Sequence, residues 1–369
     1  MTVWYFPIES YTERYTSQLL KWTIEAFNRN GLLDVETMCP PQPGDRQIRN
    51  AGPLDFALRP WFSACQIAMF MDNAHKVKAG DVIYFDDMFT PGFEAIPYYL
   101  DRVGLGAKVG IFTRNHAGSC DVYDYVYPSK RWMRHYEKMV SRACHTVFCA
   151  SPIHKELMSV QGIDNVEVVG LPFDRDEVLS YHPIVPYAER DKRILFASRW
   201  DKEKDPGFFI RVAAHAREQG NDYEFAVATG KKELTSNDPG LVRLAREAAE
   251  KGLIKIYEGL SKADYYALVA TSEVQFNCAY QDFVSYTMLE ASAYGTPTVA
   301  PCYRSFPEAL FYDEACLYVP LNVGDAWHKL MNITDDYQVN YPSSVHHGTL
   351  DRICTVFKNF TTSVAASEQ

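Results

Sequence analysis

The stretch Asp282-Phe283-Val284-Ser285-Tyr286-Thr287-Met288-Leu289-Glu290-Ala291-Ser292-Ala293-Tyr294-Gly295-Thr296-Pro297-Thr298-Val299-Ala300 decides the architecture. It reads as a strand end, a short loop, a helix over residues 286 to 294, a glycine stop and a second strand over residues 297 to 300. Gly295 stands just past the helix, where a residue in the left-handed conformation usually ends it. Ser285 takes the N-cap position, so the first N–H groups of the helix, those of Tyr286, Thr287 and Met288, are expected to point into the cleft at the strand's carboxyl end. Such a helix start attracts anions through these donors and its partial positive charge.

Strand, crossover helix and strand make the unit of a parallel sheet, and the unit recurs along the chain. Apolar runs at residues 3–6, 82–85, 109–113 and 146–149 read as strands. Amphipathic stretches at residues 16–29, 59–73, 93–102 and 129–142 read as helices, with Pro60 in the first turn of the second. After a last strand and turn at residues 166–174, the segment 175–190 loses periodicity and gains Pro183 and Pro186, which predicts a linker. A second series then predicts strands at residues 194–198, 225–229, 254–258, 274–277 and 297–300, with helices at 206–218, 241–251, 263–269 and 286–294.

A chain of 369 residues exceeds the size at which one core stops growing, about 250 to 300 residues. The expected fold class is therefore α/β, with two Rossmann-like doubly wound parallel-sheet domains facing across a cleft. The first covers residues 1–178 and the second 190–340. Residues 341–369 are expected to supply a C-terminal helix packing back on the first domain, followed by a disordered tail. In doubly wound sheets ligands bind beyond the carboxyl ends of the strands, so the residues there are the candidates for chemistry.

Composition narrows the function classes. With 47% hydrophobic residues, 14% aromatics and 24 tyrosines the chain has ample core material. No window approaches the ~18 uninterrupted apolar residues of a membrane-spanning helix. The N-terminus runs from Met1 to Phe6 straight into a buried strand, with no basic start or small-residue cleavage site, and a cytoplasmic location is expected. Nine cysteines, an odd number with no CxxC pair, argue against a disulfide framework and a zinc site. A net charge of -10 opposes blanket attraction to nucleic acid or anionic lipid, so such a partner would have to meet a local basic patch.

The loop Ser198-Arg199-Trp200-Asp201-Lys202-Glu203-Lys204 follows a strand and precedes a helix starting near Pro206. Without a metal, a diphosphate needs permanent positive charge; Arg199 offers a bidentate fork and Lys204 a compact point charge. Taken alone, this loop also fits an ordinary solvated surface. Asp282 and Glu290, eight residues apart, flank the helix start at residue 285. Glu290 lies among Leu289, Ala291 and Ala293, where a carboxylate is costly unless something binds it.

These residues resemble the retaining GT-B glycosyltransferases of the large group called family four. That family carries an Arg with a Lys five residues on, and then a Glu-x7-Glu block ending in a Glu-Ala, small residue, Gly-x-Pro-Val run. Arg199 and Lys204 match the first element, and Asp282, Glu290, Gly295, Pro297 and Val299 match the second. Ser151 and the turn Val169-Gly170-Leu171-Pro172-Phe173-Asp174 match further landmarks.

The resemblance implies a glycosyltransferase that uses a nucleotide-diphosphate sugar, UDP-linked, as co-substrate, with no separate cofactor and no metal. Arg199 and Lys204 would neutralise the diphosphate, Glu290 would bind the ribose hydroxyls, and Asp282 would hold hydroxyls of the donor sugar. The backbone of Ser285, Tyr286 and Thr287 would touch phosphate, while Gly259 and Leu260 would lie near the nucleobase. His116, in Asn115-His116-Ala117-Gly118-Ser119 after a strand, would orient the donor sugar; a structural histidine is the alternative. The chain departs from the pattern in Asp282, one methylene shorter than Glu, and in Phe283-Val284-Ser285 where the family has Gly-Phe-Gly. Losing those glycines restricts the approach of backbone to the sugar.

On the acceptor side the first loop supplies Glu9, Tyr11 and Arg14, together with Tyr15; capping of the helix that follows is the alternative role. Asp86 and Asp87 end another strand and are not the DxD metal clamp of the other major glycosyltransferase fold. The helix 129–142 carries Arg131, Arg134, His135, Lys138 and Arg142 on one face and Trp132, Tyr136, Met139, Val140 and Ala143 on an apolar stripe. The basic face is either merely solvated or steers a phosphate-rich acceptor.

The opening Tyr11-Thr12-Glu13-Arg14-Tyr15-Thr16-Ser17-Gln18-Leu19 is similar to openings of phage-encoded glycosyltransferases, some of which modify hydroxymethylated pyrimidines in duplex DNA. That similarity implies DNA as acceptor and a host-cell cytoplasm as location, and it requires a flipped base. The rival acceptor is a saccharide or cell-envelope glycan precursor. A sugar-nucleotide epimerase and an inactive nucleotide-sugar binder share the fold.

Overall fold

The computed structural model describes residues 1–10, 15–41, 57–116, 118–124, 126–280, 282–333 and 346–367. The chain divides into two compact units, residues 1–172 with 348–369, and residues 173–347. Among the described residues, each unit is built on a six-stranded parallel sheet, of order β2-β1-β3-β4-β5-β6 in unit 1 and β12-β11-β10-β7-β8-β9 in unit 2.

Unit 1 contains β1 (Val3–Phe6), β2 (Val35–Thr37), β3 (Val82–Phe85), β4 (Gly110–Arg114), β5 (Thr146–Cys149) and β6 (Val166–Val168). Its helices are α1 (Tyr15–Arg29), α2 (Leu58–Asn73), α3 (Ala95–Arg102), α4 (Lys130–Ala143) and α5 (Pro152–Val160). β1, β3 and β4 are buried along their whole length, as strands covered on both faces must be. One face is filled by Trp4, Phe6, Ile83, Phe85, Ile111 and Val147.

The other face is closed by the C-terminal helix (Thr349–Ser367). Its Phe357 is fully buried, with ring centroids 4.9 Å from Phe112 and 5.3 Å from Tyr84. The same helix packs on α1, where Arg29 pairs with Asp351 at 3.0 Å. On the sheet, Thr349 and Arg352 donate hydrogen bonds to the Val169 carbonyl.

Unit 2 contains β7 (Asp191–Phe196), β8 (Glu224–Ala228), β9 (Lys255–Tyr257), β10 (Ser272–Phe276), β11 (Thr298–Pro301) and β12 (Leu317–Tyr318). Its helices are α6 (Arg175–Ser180), α7 (Pro206–Glu218), α8 (Pro239–Glu250), α9 (Lys262–Thr271), α10 (Tyr286–Ala293), α11 (Phe306–Ala309) and α12 (Val323–Met331). α10 ends as its sequence predicts: Gly295 has φ +69°, and Arg190 donates to the Tyr294 and Gly295 carbonyls at 2.9 and 3.0 Å, satisfying the last turn.

Two expectations need correction. The segment 175–190, expected as a linker without periodicity, contains a helix: Asp174 caps α6 by accepting from the Glu177 amide, and Tyr294 donates through its hydroxyl to the Val178 carbonyl. A capped start and a buried anchor hold one turn and a half of helix where periodicity is too short to read. The stripe assigned to α4 is also shifted, because Trp132 and Met139 are 50% and 36% exposed while Met133, Glu137, Val140 and Ser141 are buried. Glu137 can be buried because the amide and hydroxyl of Ser119 both donate to it, at 2.9 and 2.6 Å. The strands β2 and β12 and the helices α5, α6, α11 and α12 are additional to the expected elements.

Phe357→Ala empties an aromatic-lined space and is expected to cost unit 1 about 3–5 kcal/mol. Denaturant unfolding checks this; a shift below 1 kcal/mol would mean that the C-terminal helix contributes little to the core.

Candidate functional site

In each sheet the strand order reverses at one point, between β7 and β10 in unit 2 and between β1 and β3 in unit 1. Loops diverge there and leave a crevice at the carboxyl ends.

In unit 2 the loop after β7 is anchored by Trp200, which is 1% exposed, lies edge-on to Phe196 at 5.2 Å and donates its indole N–H to the Leu241 carbonyl at 2.9 Å. The neighbouring side chains are thereby aimed in fixed directions. Arg199, 48% exposed, forms ion pairs with Asp201 at 3.0 Å and Glu203 at 2.7 Å. Asp201 is held independently by the Asn237 amide at 2.9 Å, so its carboxylate stays in place if Arg199 swings away.

Lys204 is buried and pairs with Asp282 at 2.9 Å. The loop bearing it is tied to the loop after β10, since the Tyr280 amide donates to the Glu203 carbonyl at 2.8 Å and the Tyr280 hydroxyl donates to Asp205. Asp205 has φ +42°, a conformation that Asp tolerates better than most residues, and caps α7 by accepting from the Phe208 amide at 3.1 Å.

Asp282 leads into the start of α10. Ser285 holds the N-cap position with extended backbone (φ −92°, ψ 120°) but makes no side-chain cap hydrogen bond, its hydroxyl lying 3.1 Å from that of Thr287. The helix dipole and first-turn amides of Tyr286 and Thr287 thus start beside the carboxylate that pairs with Lys204. One turn on, Glu290 accepts from the Tyr265 and Tyr266 hydroxyls at 2.7 and 3.0 Å. Burial nonetheless raises its carboxyl to about 7, against the lowering effect of these two hydrogen bonds and of Lys262. Gly259, at φ +66°, and Leu260 sit on the loop after β9, where the Gly259 amide donates to the Lys231 carbonyl and the Leu260 amide to the Thr229 carbonyl.

Unit 1 arranges its candidates differently. Asp86 is fully buried and accepts from the Tyr5 and Tyr84 hydroxyls, both at 3.0 Å, with Arg114 at 3.3 Å. Arg59 pairs with Glu9 and, at 3.2 Å, with Asp87, and donates through Nε to the Phe89 carbonyl. Glu9 and Asp86 are thereby each paired with an arginine in the interior of unit 1. Asp87 keeps some exposure, and burial raises its carboxyl despite Arg59.

His116 Nε2 lies 2.6 Å from the Asp86 carbonyl, which can only accept, so that nitrogen carries the proton. Burial, followed by nearby Arg114, lowers its imidazole to about 4 and keeps it neutral. Tyr11 and Arg14 lie outside the described residues. Arg131 and Arg134 are exposed and Lys138 half-buried on α4.

Sequence reading misses Arg59, Arg114, Tyr265 and Tyr266. The signal for the arginines is their setting, Arg114 at the end of an apolar strand and Arg59 beside Pro60 on an apolar helix face, since each needs a carboxylate. Among the described residues no three His, Cys, Asp or Glu side chains converge as metal ligands, and no helix is long and apolar enough to cross a membrane.

This architecture is the GT-B fold. Solved structures that share it include the sucrose-phosphate synthase of Thermosynechococcus elongatus, with TM-score 0.65, 13% identity, and coverage of 100% of this chain and 98% of that one. The UDP-forming α,α-trehalose-phosphate synthase of Burkholderia xenovorans gives 0.64, 12%, and 99% and 100%. The pneumococcal O-GlcNAc transferase GtfA, in complex with UDP and GlcNAc, gives 0.56, 12%, and 82% and 60%. No protein-family model matches the chain.

Two predictions arise from these side chains. Arg59→Met strips Glu9 of its buried partner and should cost about 3–5 kcal/mol in denaturant unfolding, whereas a near-neutral result would show that Glu9 is not dependent on the pair. The second concerns Glu290, whose raised pKa makes its ionisation a cost to the folded state, so that its contribution to stability is full below the unfolded value and is lost as pH rises through about 7. A ligand whose hydroxyls donate to the carboxylate favours ionisation, so the affinity for such a ligand should fall with acidification, approaching tenfold per unit below pH 7. Calorimetry should detect proton release at pH 6 in the native chain and none in Glu290→Gln; equal release in both would exclude Glu290.

Proposed function

We propose that the chain is a retaining glycosyltransferase that moves a hexose from a UDP-linked donor to an acceptor hydroxyl without a metal ion. The observation that carries this reading is the buried Lys204 beside Asp282 at the start of α10, at the topological switch point of unit 2. The fold shared with sugar-nucleotide enzymes supports it.

When the donor binds, its diphosphate competes with carboxylates for the two cations. Arg199 can exchange, because its side chain is half-exposed and Asp201 keeps the Asn237 amide when the pair opens. Lys204 gains a second anion, and Asp282 is freed towards the sugar hydroxyls. The α10 amides add donors that need no rearrangement. As the bond from C1 to the diphosphate oxygen breaks, positive charge develops on the sugar ring and negative charge on the leaving phosphate. Fixed positive groups lower the barrier by acting on the second of these.

The acceptor hydroxyl oxygen attacks C1 from the face that the phosphate leaves, its proton passing to a phosphate oxygen, and configuration is retained. His116, neutral at physiological pH, is assigned to hydrogen bonding with a sugar hydroxyl and not to proton transfer. Glu290 takes the ribose hydroxyls, and Gly259 and Leu260 flank the base. For the acceptor we favour a hydroxymethylated pyrimidine in DNA, on account of the basic exposed face of α4; a saccharide or envelope glycan precursor is the alternative.

Mass spectrometry of reactions with UDP-, GDP- and ADP-sugars and with saccharide and hydroxymethylpyrimidine-DNA acceptors should show hexose transfer from the UDP donor, unaffected by chelator. Lys204→Ala and Arg199→Ala should each lower kcat by roughly 10²- to 10³-fold. Unchanged rates in both variants would remove the assigned diphosphate site. A trapped covalent glycosyl-enzyme would defeat front-face attack, and free rearranged sugar without acceptor would indicate an epimerase.

A further inference from the structure

α4 presents a second feature in unit 1, with its first two turns beside the loop after β3. Lys130, Arg131, Arg134, His135 and Arg142 are exposed and Lys138 is half-buried, while the helix's single acidic residue, Glu137, is buried and bound to Ser119. Among the described residues, no ion pair joins Arg131, Arg134, Lys138 or Arg142 to a carboxylate. A cluster of unneutralised cations on a chain of net charge -10 is a local reversal of sign.

An aromatic platform adjoins it. Trp132 is 50% exposed and packs on Phe89 at 6.2 Å and Tyr136 at 6.4 Å. Tyr136 is bonded in turn to the Thr90 backbone, donating to its carbonyl at 2.6 Å and accepting from its amide at 3.1 Å. The Phe89 amide donates to Asp87 at 2.8 Å, so the platform is continuous with the loop that ends β3.

We propose that this face of α4 docks a nucleic-acid strand, with phosphates on Arg131, Arg134, Lys138 and Arg142 and an unstacked base on Trp132. The inference rests on the reading of the chain as a transferase acting on DNA, and it supplies the surface that would recognise that acceptor. The helix's 14 residues span about 21 Å, the rise of roughly six phosphates along one strand. Stacking on an exposed ring suits any base, which fits a surface that holds a strand while a separate site selects the reacting base.

A flat anionic membrane fits less well. The apolar side of α4, with Met133 and Val140, is buried in unit 1, so the helix has no apolar face to insert. The acidic remainder of the chain also opposes approach to an extended negative plane, whereas a strand can follow the basic stripe alone.

The test is binding of the full chain, without sugar donor, to a 20-nucleotide DNA and to the matching duplex, by fluorescence anisotropy from 50 to 200 mM salt. Affinity for the single strand should fall about fiftyfold over that range. In Arg131→Ala/Arg134→Ala/Lys138→Ala the log–log salt slope should shrink by about two, and Trp132→Ala should weaken single-strand binding roughly five- to hundredfold with little change in slope. These side chains are exposed or half-exposed, and circular dichroism checks that the variants fold.

Failure of the native chain to bind either DNA, or equal binding by the triple variant, overturns the inference. So does cation-dependent capture by phosphatidylserine vesicles with no binding to DNA. A chain that transfers sugar but ignores DNA overturns this surface and the DNA acceptor together and leaves the transferase reading standing; one that binds DNA in this way but transfers no sugar fails only as a transferase.

Discussion

A buried ammonium group has to be matched by an anion, and in unit 2 this requirement joins two loops that are distant in sequence. Lys204 arrives from the loop after β7 and Asp282 from the loop after β10, and their contact at 2.9 Å draws both to the start of α10. The surrounding hydrogen bonds follow from that union: Tyr280 bridges the loops, Asp205 accepts a left-handed backbone to cap α7, and Ser305 donates to the Asp282 carbonyl. Trp200 supplies the rigid point from which Lys204 projects. The carboxylate stands where a diphosphate is proposed to compete, so the pair holds the site together until a better anion arrives.

The two units solve the same topological problem with opposite chemistry. In unit 2 the loop after β7, at the reversal of sheet order, carries the cations Arg199 and Lys204, and the loop after β10 answers the second with Asp282. In unit 1 the corresponding ends carry the carboxylates Glu9, Asp86 and Asp87, and the cations that answer them, Arg59 and Arg114, lie in the interior. Asp86 consequently serves through its backbone, since its carbonyl accepts the proton of His116 while its side chain is spent on two tyrosines and an arginine. A neutral imidazole is the outcome of that arrangement.

Strand ends and helix starts in this chain can be read from residue order alone, because short continuous apolar runs alternate with stretches of period 3.6 and Gly295 and Pro206 punctuate them. α7 has the bounds that its sequence implies, Pro206–Glu218, and α10 stops at its glycine. Short elements such as α6 escape such reading, since six residues show less than two turns of periodicity. The partners of site residues escape it for a different reason. Tyr265 and Tyr266 reach Glu290 from a helix some 25 positions away, and Arg59 reaches Glu9 across 50, distances that only the folded sheet brings together. The stripe of α4 misleads because a buried Glu137, satisfied by Ser119, takes a core position that periodicity reserves for an apolar residue.

The most direct measurement is a crystal structure of the chain grown with UDP and an unreactive sugar analogue. The account predicts the β-phosphate within hydrogen-bond distance of Lys204 Nζ and of the first amides of α10, with Asp282 turned from the lysine to the sugar. A diphosphate bound elsewhere, or one reaching the protein only through a metal ion while Lys204 and Asp282 stay paired, would contradict it.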